Sequence, residues 1–271
     1  MLSIRLPKAT ATSRKRVLGL CKSSTSLYQR PIDGLAMSSY PIITRKEPPR
    51  RGITTYEHVP VQESQTRPRR IVIGITGATG TVYAIRILSI LRQLGIETHL
   101  VISKWALATM KYETLLSEAE IRGMASRTYT AKDVSASIAS GSFQHDGMII
   151  VPCSMKTLAA IRSGFCDDLI SRAADVSLKE NRKLVLAVRE TPLSDIHLDN
   201  MLFLRRAGAV IFPPVPAFYT RPKGIEDLID QTAGRMLDSL GIFTEGFPRW
   251  EGFQPRSSHA HPRLGGIAEA Q

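Results

Sequence analysis

Cysteine is scarce: Cys21, Cys153 and Cys166 are the only three in 271 residues, widely spaced and without a CxxC. Neither a disulfide framework nor a cysteine zinc site is expected. Aromatic residues make up 6% of the chain, and after residue 70 no basic stripe is interleaved with them, so the footprint of a nucleic-acid binder is missing. No apolar run reaches the roughly 18 residues that span a bilayer, which argues against a membrane anchor. No group of His, Cys and carboxylates has metal-ligand spacing. Acid is absent from residues 1–32 altogether.

That last absence locates the charge. The net charge is +12, but residues 1–70 hold 14 Lys+Arg against 4 Asp+Glu, and the rest of the chain is close to neutral. In residues 1–32, Arg5, Lys8, Arg14, Lys15, Arg16, Lys22 and Arg30 stand among many Ser and Thr, the composition of a mitochondrial transit peptide; a disordered basic tail is the alternative. Residues 33–70, with "TRKEPPRRG" and "QESQTRPRR", read as a disordered linker. Residues 71–252 read as a single domain, and 253–271 as a disordered tail.

Within 71–252, strand-like runs alternate with helical stretches: "IVIGIT", "THLVIS", "GMIIVP", "KLVLAV" and "AVIFP" are separated by helices, and a last helix covers "IEDLIDQTAGRMLDSLG". The alternation predicts an α/β fold, a three-layer sandwich of Rossmann-like or flavodoxin-like type with a mostly parallel sheet. Ligands of such sheets sit at the carboxyl ends of the strands, so the residues following each run matter most. "IVIGIT" enters "GATG", where Gly77 and Gly80 permit a tight turn that leaves amides free at the next helix start. By itself this turn fits a ligand cradle or a plain βα turn. Ser103-Lys104 follow the second run, Ser154 to Thr157 the third, Arg189 and Glu190 the fourth, and Tyr219 lies beyond the fifth. In "SRAADVSLKE", Arg172, Asp175 and Lys179 share a helix face, so two cations can converge beside Ala173 and Ala174. Cys153 reads as a small buried hydrophobe, His145 and His197 as structural, and Trp105 and Trp250 as packing residues.

These segments resemble the flavin prenyltransferase family of UbiX/Pad type, and among its members the fungal mitochondrial ones. The resemblance runs from about Ile71 to Trp250 and rests on "GITGATG", "VISK", "GSFQHDGMIIVPCSMKT", "SRAADVSLKENRKLVLAVRETPL", "HLDNM", "GAVIFPPVPAFYTRP" and "RW". Thr79 stands where many members have Ser, and Asn181 interrupts a usual Glu-Arg-Arg run. The resemblance implies that Gly77, Ala78, Thr79, Ser103, Ser154, Met155, Lys156, Thr157 and Arg189 hold FMN. It assigns Lys179, Arg189, Tyr219 and Arg235, with Arg172 nearby, to the phosphate of a dimethylallyl donor, Glu190 to proton handling, and Trp250 to a place near the active site. It further implies a product passed to a UbiD-type decarboxylase, and a large homo-oligomer, a dodecamer. The competing readings are an FMN-dependent decarboxylase acting directly on an aromatic or cysteinyl acid, a non-catalytic FMN-binding subunit, and an NAD(P) reductase built on the glycine turn with Glu97 as its acid.

Overall fold

Successive residues of a strand face opposite sides of a sheet. Along β1 (Arg70–Ile75) this sends Ile71, Ile73 and Ile75 into one apolar cluster and Val72 into another. The sheet is completed by β2 (Glu97–Ile102), β3 (Arg127–Thr130), β4 (Gly147–Cys153), β5 (Leu184–Val188) and β6 (Val210–Ile211). Every pairing is parallel, in the order β3-β2-β1-β4-β5-β6. The structure is a computed structural model and describes residues 67–252, all within one compact unit. The expected leader, the linker up to residue 66 and the tail from residue 253 lie outside the described residues.

The isoleucine face is covered by α1 (Thr81–Gln93), α2 (Lys104–Glu113), α3 (Glu118–Gly123) and α7 (Ile225–Ser239); the opposite face is covered by α4 (Met155–Ser163), α5 (Leu169–Lys179) and α6 (Asp195–Arg206). The fold is therefore the three-layer α/β sandwich that the alternation predicts, with the Rossmann strand order. Winding reverses between β1 and β4, which makes their carboxyl ends the switch point where a crevice opens.

Helix starts follow from short polar side chains. Ser103, Ser117, Ser154, Asp168 and Ser194 each accept an amide hydrogen bond at the head of α2, α3, α4, α5 and α6. His197 completes the box at α6 with Ser194 and so has a structural place. Asn181, the departure noted above, has φ 53 just after α5, a left-handed conformation that Asn tolerates better than Glu or Arg. Cys153 is fully buried and burial pushes its thiol up to about 12, the setting of a structural thiol. His145 is buried with Nδ1 3.2 Å from the Gly147 carbonyl; burial, then Arg182, pushes its pKa down to about 4, so it is neutral. Trp105 does not pack away, being 66% exposed.

The expected linker ends earlier than residue 70. Arg67 forks Asp146 at 2.8 and 2.9 Å, Arg69 donates to the carbonyls of Gly241 and Leu240 at 3.0 Å, and Arg70 already belongs to β1. Charge there serves docking of the chain onto the domain, which composition alone cannot distinguish from a solvated basic linker.

Candidate active site

At the switch point the two strand ends are stitched by one hydroxyl. Thr76 Oγ1 donates to the Pro152 carbonyl at 2.8 Å and accepts from the Ser154 amide at 2.8 Å. Beyond Thr76 the turn packs tightly on the first turn of α2: a Cβ at Gly77 would lie 2.5 Å from Trp105 Cβ, so only glycine fits without displacing that helix. Gly80 has φ +114 and heads α1.

The amides at that helix start are not free, contrary to the sequence expectation. Glu113, the last residue of α2, reaches back and accepts from Gly80 N at 3.0 Å and from Thr81 N at 2.8 Å. Burial alone would raise its carboxyl pKa, but hydrogen bonds from Thr79, Thr81 and Gly80 together outweigh it and hold the group below its ordinary value. A side-chain carboxylate therefore occupies the anion position of α1. Nothing in the sequence spacing marks Glu113, since it lies 33 residues from Gly80.

The neighbouring helix start keeps its donors. In α4 the Ser154 hydroxyl accepts from Thr157 N at 3.4 Å and lies 3.1 Å from Thr157 Oγ1. The amides of Met155 and Lys156 have no partner within their own helix, and Lys156 adds a cation. Ser103, at the end of β2, caps Ala106 N at 3.1 Å and can still donate its own proton. This set offers donors and positive charge, and with the glycine turn packed on Trp105 it fits a phosphate-bearing flavin such as FMN.

A cavity of about 390 Å³ adjoins the turn, lined by Thr79, Gly80, Val82, Tyr83, Glu113, Arg189 and Pro214. Arg189 is fixed at the end of β5 through its amide on the Cys153 carbonyl, 3.2 Å. Burial raises the Tyr83 phenol, partly offset by Arg189. Glu190 is exposed, its Oε1 accepting from Thr191 N at 3.1 Å. A second cavity, about 350 Å³, is lined by Tyr219, Arg235, Phe247, Arg249 and Trp250. Tyr219 and Trp250 meet edge to face at 5.6 Å, and Gln231 Nε2 donates to the Tyr219 hydroxyl at 3.5 Å. The two cavities share no lining residue.

The charged face of α5 also departs from expectation. Ala173 and Ala174 face the core, whereas Arg172 pairs with Asp175 at 2.9 Å and donates to the Ala139 carbonyl at 3.1 Å. Lys179 closes the far end of α5 and pairs with Glu180. The two cations stand about two helical turns apart and do not converge. Moreover, α5 runs from beside Ala131, just past β3, to the Gly141 segment ahead of β4. Lys179 therefore sits at the amino edge of the sheet, opposite Arg189 and Glu190. The sequence brings these residues into one constellation; a single folded chain puts Lys179 at the opposite edge from Arg189 and Glu190, and Tyr219 with Arg235 on a cavity that shares no lining residue with that of Arg189.

The sequence profile of the flavoprotein family matches residues 60–240. The mitochondrial flavin prenyltransferase PAD1 of Saccharomyces cerevisiae is 64% identical over 193 residues, 71% of this chain and 80% of that protein. A probable UbiX-like flavin prenyltransferase of Bacillus subtilis is 50% identical over 191 residues, 70% of this chain and 94% of that protein. Among solved structures, AnUbiX (PadA1) in complex with FMN and dimethylallyl pyrophosphate superposes with a TM-score of 0.69 at 62% identity, covering 69% of this chain and all of that one. A dodecameric FMN-dependent UbiX-like decarboxylase from Escherichia coli O157:H7 superposes with a TM-score of 0.66 at 48% identity, covering 68% of this chain and all of that one. With its Rossmann-ordered sheet, its donor-lined helix start at Ser154 and these likenesses over most of each relative's length, the chain belongs to the flavoprotein family and, within it, to the flavin prenyltransferases of UbiX/Pad type.

Proposed function

We propose that this chain joins the dimethylallyl group of dimethylallyl phosphate to N5 and C6 of reduced FMN, making prenylated FMN for a UbiD-type decarboxylase. The observation that carries this reading is the presence of two separate anion-accepting places: the donor-lined start of α4 with Ser103, and the arginine-lined cavity at Tyr219 and Arg235. A phosphorylated flavin and a phosphorylated five-carbon donor need both. A decarboxylase acting directly on a peptide-like acid needs only the first.

Reduced FMN, when bound, supplies N5 and C6 as the positions that accept prenyl carbon. Gly77, Ala78, Thr79, Ser103, Ser154, Met155, Lys156, Thr157 and Arg189 hold it. Lys179, Tyr219 and Arg235 receive the donor phosphate with Arg172 nearby. The positive charge of the lysine and arginines stabilises the oxygens as the carbon–oxygen bond breaks, a task that metal ions perform elsewhere, and the Tyr219 hydroxyl donates a hydrogen bond to them. Glu190 takes up a proton at the carboxyl edge. Because Lys179 lies at the opposite edge of its own sheet, it reaches this chemistry from another copy of the chain, so the working enzyme is a homo-oligomer. Residues 1–32 direct the chain to the mitochondrion, as the composition indicates and the mitochondrial yeast relative supports.

The test is anaerobic incubation with reduced FMN and either dimethylallyl monophosphate or diphosphate, followed by mass and absorption spectra of the flavin. A gain of one five-carbon unit is expected with the preferred donor. Glu190→Gln should retain FMN while turnover falls roughly 10²- to 10⁴-fold, the range for loss of a general base. Release of CO₂ from an aromatic acid by the protein alone, with no gain in flavin mass, would replace this reading with the direct decarboxylase.

A further inference from the structure

The segment 243–250 is fastened to α7 by contacts that the chemistry above leaves unused. Asp238, in the last turn of α7, accepts from both terminal nitrogens of Arg249 at 2.8 and 2.9 Å and from Arg235 Nη1 at 3.1 Å. Arg249 also donates to the Thr244 carbonyl at 3.0 Å. Its guanidinium lies over the rings of Phe243 and Phe247, 4.6 and 4.4 Å from their centroids. Phe247 in turn is seated on Gly234, where a Cβ would come within 1.9 Å of the ring. The next residue after Arg249 is Trp250, which meets Tyr219. One carboxylate thus joins the cation already assigned to the donor phosphate, Arg235, to the segment that forms the cavity's other wall.

The structure assigns Asp238 as the positioning residue of the donor-phosphate cavity: it latches the 243–250 strap through Arg249, holding Trp250 against Tyr219, and it orients Arg235. This role rests on the prenyl-transfer reading of that cavity. The geometry divides the work between the two arginines. Arg249 takes the two-pronged contact, which fixes direction as well as distance, and also lies over two aromatic rings. Arg235 has a single contact and a side chain 54% exposed, leaving most of its donors for an incoming phosphate. Without the carboxylate the two guanidinium groups would repel each other across a small cavity. Asp238 therefore shapes how the donor is held, while FMN, bound at the switch point, is held by other residues.

The experiment compares the full chain with Asp238→Asn, Asp238→Glu and Arg249→Met, measuring donor KM, kcat at saturating donor and FMN affinity. Trp250 emission is read in a Trp105→Phe background, since the chain has two tryptophans. Asp238→Asn should raise donor KM about ten- to a hundredfold, as expected for loss of charge-assisted contacts. The kcat and FMN affinity should stay close to wild type, Trp250 emission should shift to the red, and Asp238→Glu should recover most of the KM. Arg249→Met opens the same latch without touching α7, so it should reproduce the KM effect even if Asp238→Asn folds poorly. An unchanged donor KM with shifted Trp250 emission overturns the assignment, as does a parallel loss of FMN affinity and kcat. If the wild type makes no prenylated flavin, the functional reading fails with it, while the emission shift still reports whether the latch exists.

Discussion

Around Glu113 the competition between burial and hydrogen bonding can be followed atom by atom. Burial favours the neutral acid; hydrogen bonds from three residues of the glycine turn, Thr79, Gly80 and Thr81, favour the carboxylate and prevail. Removing it leaves the Gly80 and Thr81 amides unsatisfied in a half-buried turn. Glu113→Ala should therefore destabilise the protein by about 1–3 kcal/mol at neutral pH, read as a lower urea midpoint. The sign with pH follows from the depressed value. The carboxylate's contribution is complete above the ordinary value of 4.5 and is lost as pH falls through the lower value of the folded state, so the two midpoints should converge in acid. A gap that widened in acid would mean that the neutral acid, not the carboxylate, holds the turn. The sequence reading of "GATG" recognised the turn but expected free amides at the helix start; nothing local reveals that a residue 33 positions away supplies the anion.

Among elements, those with a strong local signal were legible and those without one were not. The buried runs of β1, β2, β4 and β5 and the long helices α1 and α7 follow from periodicity. β3 is an edge strand whose four residues are mostly exposed, so no apolar run announces it, although Ser117 and Glu120 form a capping box at the short α3 before it. The amino end of β1 has a measurable boundary. A chain beginning at residue 67 should melt with the full chain, whereas one beginning at residue 71 loses the Arg67 fork and the Arg69 carbonyl contacts. The cost should be on the order of 2 kcal/mol, or several degrees in Tm, by differential scanning calorimetry. Equal melting of the two truncations would return the boundary to Ile71.

For the molecule as a whole, the separation of Lys179 from Glu190 on opposite edges of the sheet has a direct consequence for the proposed chemistry. If Lys179 acts on the donor bound at another copy's Glu190, two inactive variants can complement each other. Lys179→Ala and Glu190→Gln should each lose activity alone. Co-expressed with different tags and purified through both, they should regain a fraction of wild-type turnover, because some sites then draw an intact Lys179 and an intact Glu190 from different copies. A doubly tagged complex as inactive as its parents would place both residues on one chain in each site. The exposed apolar residues of α6, Ile196, Leu198, Leu202 and Phe203, are of the kind that a contact between copies would cover.

What the sequence determined by itself is what nearest neighbours along the chain dictate. Alternating apolar runs gave a parallel sheet, short polar residues gave the helix starts, and glycines gave the turn at Gly77. Ordered motifs gave the family, and with it the residues to weigh. Tertiary structure alone decided which of those residues share a place. Winding on either side of β1 places Ser154 beside Thr76. A chain reversal carries Glu113 onto the α1 amides. The direction of α5 takes Lys179 to the far edge of the sheet, and the return of the chain after α7 lays Arg249 on Asp238. Each of these depends on the path of the backbone between residues far apart in sequence, and side-chain pattern constrains that path only through the packing it finally produces.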